Sequence, residues 1–138
     1  MYEYTRGVFY YETDKMGVVH HSNYARWLEE ARTEYFNDAG LAYAETENFG
    51  VMIPVTNMNL KFKRFSRYGD RFTVRVRMIK YNGVRFDMAY TVINQLDQIL
   101  LDAVSGHAFV GANHQPVALS KVLPKRHAAM EKLVEPLI

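Results

Sequence analysis

The chain has 138 residues, an apolar share of 49% and a net charge of +2, from 17 basic and 15 acidic residues. That size suits one compact domain over residues 1–138 with a real core, and leaves little scope for disorder. There is no cysteine, so disulfides, zinc–thiolate centres and a thiol nucleophile are excluded.

Residues 4–12, "YTRGVFYYE", are rich in aromatic and β-branched types and predict a strand. A loop, "TDKMGVVHH", leads into a helix predicted from about Tyr24 to Ala39. Tyr24, Trp27, Leu28, Ala31 and Tyr35 form one apolar stripe at helical period. Ser22 or Asn23 is placed to cap its start, and Gly40 lies just past its end. Arg26 and Glu30 have the spacing of a helical ion pair.

A connecting segment, "LAYAETENFGVMIP", comes next. The period then changes to two. Met58, Leu60 and Phe62 alternate with polar residues, as do Phe72, Val74, Val76 and Met78. Both runs predict half-buried strands with one face on the core. Asn82-Gly83 predicts a type I′ hairpin turn. The strand after it carries Val84, Phe86, Met88, Tyr90 and Val92 on one side. "NQLDQ" turns the chain into a last strand within residues 99–112, and a short helix is expected from Pro124. The order is strand, long helix, then an antiparallel meander. It predicts an α+β fold with a curled antiparallel sheet of about five strands wrapped around one long central helix.

Asp14 has two readings. It is a turn residue, or it is a catalytic carboxylate returned by a bend at Gly17 to the mouth of the helix, where backbone N–H groups are free. Such donors polarise a carbonyl while the carboxylate attacks it or activates water. His20 and His21 are adjacent and make a poor metal pair, and no HExxH or HxxxH motif occurs, so no metal is expected. Trp27, Tyr24 and Tyr35 are core or pocket wall. Lys61, Lys63, Arg64, Arg67, Lys80 and Arg85 are a solvated strand face, or a patch for a phosphorylated small molecule. Without GxxxxGK[ST] or GxGxxG, ATP or NAD bound in the usual way is not expected.

The stretch "YYETDKMGVVHHSNYARWLEEART" resembles the N-terminal motif of the 4-hydroxybenzoyl-CoA thioesterase family, hotdog-fold acyl-CoA thioesterases. The matching elements are Tyr11, Thr13-Asp14, Gly17-Val18-Val19, His21, Tyr24 and "EEART"; "LKFKRFSRYGDRFTV" adds a strand–turn–strand with Gly69-Asp70 at the turn. The resemblance implies a hotdog fold and hydrolysis of an acyl-CoA without a cofactor. It makes Asp14 the catalytic carboxylate and the backbone N–H at His21 the polarising donor. It points to Tyr11, Gly17, Val19, Tyr24 and Trp27 for substrate binding and to basic surface residues for the CoA phosphates, for which Lys63, Arg64, Lys80 and Arg85 are the candidates in this sequence. It also implies a homodimer or homotetramer with sites at subunit boundaries. An acyl-carrier-protein thioesterase and a non-catalytic acyl-binding module stand as alternatives. Lysine and arginine are dispersed, which argues against nucleic acid. No run approaches the about 18 apolar residues of a membrane span. The N-terminus lacks the pattern of a signal peptide. A cytoplasmic location without membrane attachment is the expectation.

Overall fold

The computed structural model describes residues 1–136. The first strand, β1 (Tyr2–Gly7), is shorter and earlier than expected. At Gly7 the chain leaves the sheet, and Tyr10–Glu12 coils into one 3-10 turn. The cause is Glu12. Its carboxylate accepts the Phe9 N–H at 2.8 Å and both terminal nitrogens of Arg6 at 2.9 and 2.8 Å, folding the segment back on β1.

The helix expected from Tyr24 is α1 (Ser22–Asp38), of 17 residues. Tyr24, Trp27, Leu28, Ala31 and Tyr35 are all buried. The Trp27 ring stacks on Phe72 with centroids 3.7 Å apart. Ser22 and Asn23 lie inside the helix rather than capping it. The C-terminus ends as expected. Gly40 adopts φ +74°, its N–H bonds Asn37 O, and Leu41 N–H bonds Phe36 O at 2.8 Å, which closes a Schellman motif. Glu30 does not pair with Arg26. It accepts from Arg6 at 2.7 Å and from the Tyr4 hydroxyl at 2.8 Å, because β1 lies over that side of the helix.

Within the segment taken as a connection sits α2 (Tyr43–Asn48), a six-residue helix. Only Thr46 of it is buried, so it carries no apolar stripe to betray it. Four longer strands follow: β2 (Val55–Phe62), β3 (Arg71–Tyr81), β4 (Arg85–Asn94) and β5 (Ile99–Ala108). With β1 they form one antiparallel five-stranded sheet in the order β1-β3-β4-β5-β2. The alternating residues of β3 and β4 (Phe72, Val74, Val76 and Met78; Phe86, Met88, Tyr90 and Val92) are buried against α1 and their neighbours. Full burial of each such side chain is worth roughly 1.5–3 kcal/mol.

β2 departs from expectation. It is an edge strand, and Leu60 alone is half-buried; Met58 and Phe62 are exposed at 36% and 52%. Leu60 packs on the core and Phe62 meets the Tyr24 ring, so its apolar side is only partly covered within one chain. The turn at Asn82-Gly83 also differs. Positive φ falls on Gly83 (+88°) and not on Asn82, whose Oδ1 instead accepts the N–H groups of Val84 and Arg85. A type I′ turn needs positive φ at both central residues. Beyond β5, α3 (Leu119–Val122) precedes α4 (Pro124–Glu131), which starts at the expected proline. Among the described residues no helix is long and apolar enough to cross a membrane.

A buried polar chain crosses the core. Arg32 donates to the hydroxyls of Tyr43 and Tyr90 at 3.1 and 3.0 Å. Tyr90 meets Ser105 Oγ at 2.6 Å, and Ser105 Oγ meets His107 Nε2 at 2.6 Å. Burial, aided by the Arg32 charge, pushes the His107 imidazole down to about 3. It is therefore neutral inside the fold.

Candidate active site

The segment after Glu12 is built as a small closed loop. Thr13 and Val19 form an antiparallel bridge across it. Asp14 N–H bonds Val18 O at 2.9 Å, and Gly17 N–H bonds Asp14 O at 3.0 Å. Gly17 takes φ +77°, which an L side chain adopts only with strain. The Asp14 carboxylate holds the turn through Oδ1, which accepts the Met16 N–H at 2.8 Å. Oδ2 has no donor among the described residues. Both readings of Asp14 therefore fit one residue, since one oxygen braces the turn and the other is free.

Glu12 fixes where this loop meets α1. Its backbone oxygen accepts the His20 N–H at 2.9 Å and Asn23 Nδ2 at 2.9 Å. Its carboxylate also accepts the Trp27 indole N–H at 2.8 Å. Burial alone would raise the Glu12 carboxyl, but the hydrogen bonds from Arg6, Phe9 N–H and Trp27 outweigh it and hold it below the usual carboxylate value.

The mouth of α1 is mostly satisfied. Ser22 N–H meets His20 Nδ1 at 3.2 Å, Asn23 N–H bonds His20 O at 3.0 Å, and Tyr24 N–H bonds His21 O at 3.3 Å. His20, which the sequence reading left without a role, thus organises the helix start. The backbone N–H of His21 has no acceptor among the described residues.

Asp14, Val19, His21, Tyr24, Lys63 and Arg64 line one cleft of about 310 Å³, together with Met16, Val18, Phe62 and Phe65. Six of the expected site residues therefore meet, and Gly17 shapes the loop beside them. Tyr24 is buried and its ring meets Phe62 edge-on at 5.4 Å. Its hydroxyl accepts the Ser66 N–H at 3.3 Å, and burial raises the phenol above its ordinary value. Four expected residues lie elsewhere. Trp27 is fully buried in the core, held by Phe72 and Glu12. Tyr11 is exposed and stacks on Phe9. Lys80 and Arg85 line a separate hollow beside the β3–β4 turn. Phe65 was missed as a cleft residue because its segment was read for its charge, and Phe62 because it was read as a core-facing strand residue. Among the described residues no group of three or more His, Asp or Glu is placed to hold a metal ion.

The model of one protein family matches residues 8–130, which is most of the chain and includes the whole Asp14 loop. The chain belongs to the thioesterase-like superfamily. Within that superfamily it is 35% identical over 126 residues to YneP of Bacillus subtilis, provisionally named an acyl-CoA thioesterase, covering 91% of each chain. It is 27% identical to a 1,4-dihydroxy-2-naphthoyl-CoA hydrolase of Thermosynechococcus vestitus, over 88% of this chain and 85% of that one. A crystal structure of a DHNA-CoA thioesterase from Staphylococcus aureus superposes with a TM-score of 0.91 at 30% identity, over 94% of this chain and 88% of that one.

Proposed function

We propose that this protein hydrolyses the thioester of an acyl-CoA, giving the free acid and CoA, in the manner of the 4-hydroxybenzoyl-CoA type of hotdog thioesterase. One observation carries the reading: Asp14, whose Oδ2 has no donor among the described residues, His21, whose N–H has no acceptor among them, and two cations line a single cleft. A thioester carbonyl gains negative charge on oxygen as it is attacked. The His21 N–H at the positive end of α1 is the group to receive that charge. Asp14 then attacks the carbonyl carbon or takes a proton from water that does. The C–S bond breaks, hydroxyl from water ends on the acyl carbon, and the proton ends on the CoA thiol. Val19 and Tyr24 form the acyl wall, and Lys63 and Arg64 meet the CoA phosphates.

The same reading makes the protein a homodimer or homotetramer of one-domain subunits, each with its sheet curled around α1. The uncovered edge of β2, with Met58 and Phe62 exposed, supports pairing with a second copy. Lys80 and Arg85, remote from the cleft in one chain, then reach the site from that copy.

The test is thiol release across an acyl-CoA panel, with Asp14→Asn beside the wild type. The variant is expected to lose about 100-fold or more in kcat. Unchanged release would overturn the role of Asp14. No release from any acyl-CoA, with release from matched acyl carrier protein, would move the substrate to a protein-bound thioester. No release from either would leave an acyl-binding module.

A further inference from the structure

The turn at Gly69-Asp70 has no part in the chemistry proposed above, and neither residue lines the Asp14 cleft. Yet the segment 66–70 clasps the Asp14 loop at both ends. At the entry, Val8 N–H bonds Asp70 O at 2.9 Å. At the exit, Val19 N–H bonds Ser66 O at 2.8 Å. Val19 forms the bridge with Thr13, and its neighbour Val18 accepts the Asp14 N–H. A displacement of Ser66 therefore passes directly to the turn of Asp14.

Ser66 serves through its backbone. It is fully buried, and its Oγ has no hydrogen-bond partner among the described residues. The turn that follows fixes its place. Asp70 N–H bonds Arg67 O at 3.1 Å, and Asp70 Oδ2 accepts the Arg67 N–H at 2.9 Å. Asp70 Oδ1 accepts from Gln95 Nε2 at 3.0 Å, and Gln95 Oε1 accepts the Arg71 N–H at 3.1 Å. Gln95 stands in the connection between β4 and β5, so the carboxylate ties the turn to the sheet. Hydrogen bonds to an ionised group are the stronger kind. Lys63 and Arg64 have an anchor of their own, since their backbone N–H groups bond Leu100 O at 2.8 and 3.1 Å.

We propose that Asp70 is a positioning residue for the Asp14 chemistry. Through Val8 and the turn at Arg67 it sets where the Asp14 carboxylate stands beside the start of α1. Its effect on rate rests on the thioesterase reading; its effect on the loop does not. Misplacing a reacting group by about 1 Å can cost on the order of 100-fold in rate. The loss falls on kcat rather than KM, because the cleft cations are held separately.

Thiol release and amide hydrogen exchange, measured on the same variants well below their thermal melts, test this. Asp70→Asn sets an amide N–H₂ against either Gln95 Nε2 or the Arg67 N–H. Gln95→Glu sets a second carboxylate beside the first. Each is expected to lower kcat about tenfold and move KM by less than about threefold. Each should also speed exchange at the Val19 N–H by about tenfold. The exchanged pair, Asp70→Asn with Gln95→Glu, keeps the net charge and lets every bond form again. Position 70 then offers an oxygen to the Arg67 N–H and an N–H to position 95, whose two oxygens take that N–H and the Arg71 N–H. Both readouts should return to within about threefold of wild type. Asp97→Asn, exposed on the same connection as Gln95, removes the same charge as Asp70→Asn and changes neither.

Unchanged kcat in both single variants would overturn the proposal. So would an exchanged pair no better than the single variants. A fall in kcat with unchanged exchange at Val19 would make Asp70 act by its charge and overturn it too. If the wild type releases no thiol from any thioester, the thioesterase reading fails, and exchange at Val19 alone decides whether Asp70 sets the loop. If Asp70→Asn does not fold, Gln95→Glu and the exchanged pair decide.

Discussion

The indole N–H of Trp27 donates to Glu12 Oε2 at 2.8 Å, with both side chains withdrawn from water. Arg6 closes the other side of that carboxylate at 2.8 Å. One acid thereby joins β1, the loop of Asp14 and α1. Removing Glu12 leaves the part-buried Arg6 with only the half-exposed Glu30 and strips the buried Trp27 N–H of its acceptor. Glu12→Ala is therefore expected to cost about 3–5 kcal/mol in urea unfolding. Glu30→Ala, at the half-exposed outer partner of Arg6, should cost about 1 kcal/mol or less. Equal losses would show that the inner pair is not the anchor.

Stability should fall with acid, for two reasons that act in the same direction. His107 has a folded value of about 3, below its ordinary 6.5. The unfolded chain then binds a proton that the native state refuses. The stabilisation is complete above about pH 6.5 and is lost as pH falls toward 3, by on the order of 4 kcal/mol. Glu12, whose folded value is lowered, adds stability present above its ordinary 4.5 and lost as pH falls below it. Unfolding free energies from pH 7 to pH 4 should show the decline. His107→Gln, which keeps a hydrogen-bonding group beside Ser105, should flatten the upper part of it. An unchanged slope in that variant would remove His107 as the cause.

Local pattern carried the fold where one chain supplies its own cover. Phe72 to Met78 and Phe86 to Val92 alternate because one face of each strand is buried, and the structure buries them. Met58 and Phe62 show the same alternation, yet stand at an open edge. Period reports which side is apolar, not what covers it. The bend at Gly17 that brings Asp14 beside the start of α1 was legible because a loop returning to a helix mouth is a local event. Ser66 and Phe65 were not, because their roles depend on contacts across the fold, and His20 was weighed only as a metal ligand although its contacts are local. His20 holds the first N–H groups of α1, and Ser66 bridges Tyr24 and Val19 by backbone bonds alone. Trp27 read equally well as core or pocket wall. Its stacking on Phe72 makes it core.

Gly17 offers a clean test of loop shape. A Cβ added there meets nothing within 4 Å, so its φ of +77° is the whole obstacle. Gly50 is a matched control, with φ +85° and equally open space. Each Gly→Ala change is expected to cost about 1–2 kcal/mol. Gly17→Ala alone should also slow thiol release, because the turn it distorts carries Asp14. Matched losses of stability with matched activity would show that the turn does not position the carboxylate.

Lys63 and Arg64 share the Asp14 cleft, whereas Lys80 and Arg85 line a hollow of about 510 Å³ by the β3–β4 turn. If CoA phosphates meet both pairs, the second must come from another copy. Lys63→Gln is expected to raise KM for an acyl-CoA by about three- to tenfold with little change in kcat, the penalty shrinking as salt rises. The double variant Lys80→Gln/Arg85→Gln should raise KM similarly. Co-assembly then separates the geometries. An Asp14→Asn subunit paired with a Lys80→Gln/Arg85→Gln subunit makes one site that has its own Asp14 and the partner copy's intact basic pair. That mixed assembly should recover the wild-type KM in part of its sites. If KM stays raised in every mixture, Lys80 and Arg85 do not serve the partner's cleft. If the double variant leaves KM unchanged, they have no part in CoA binding.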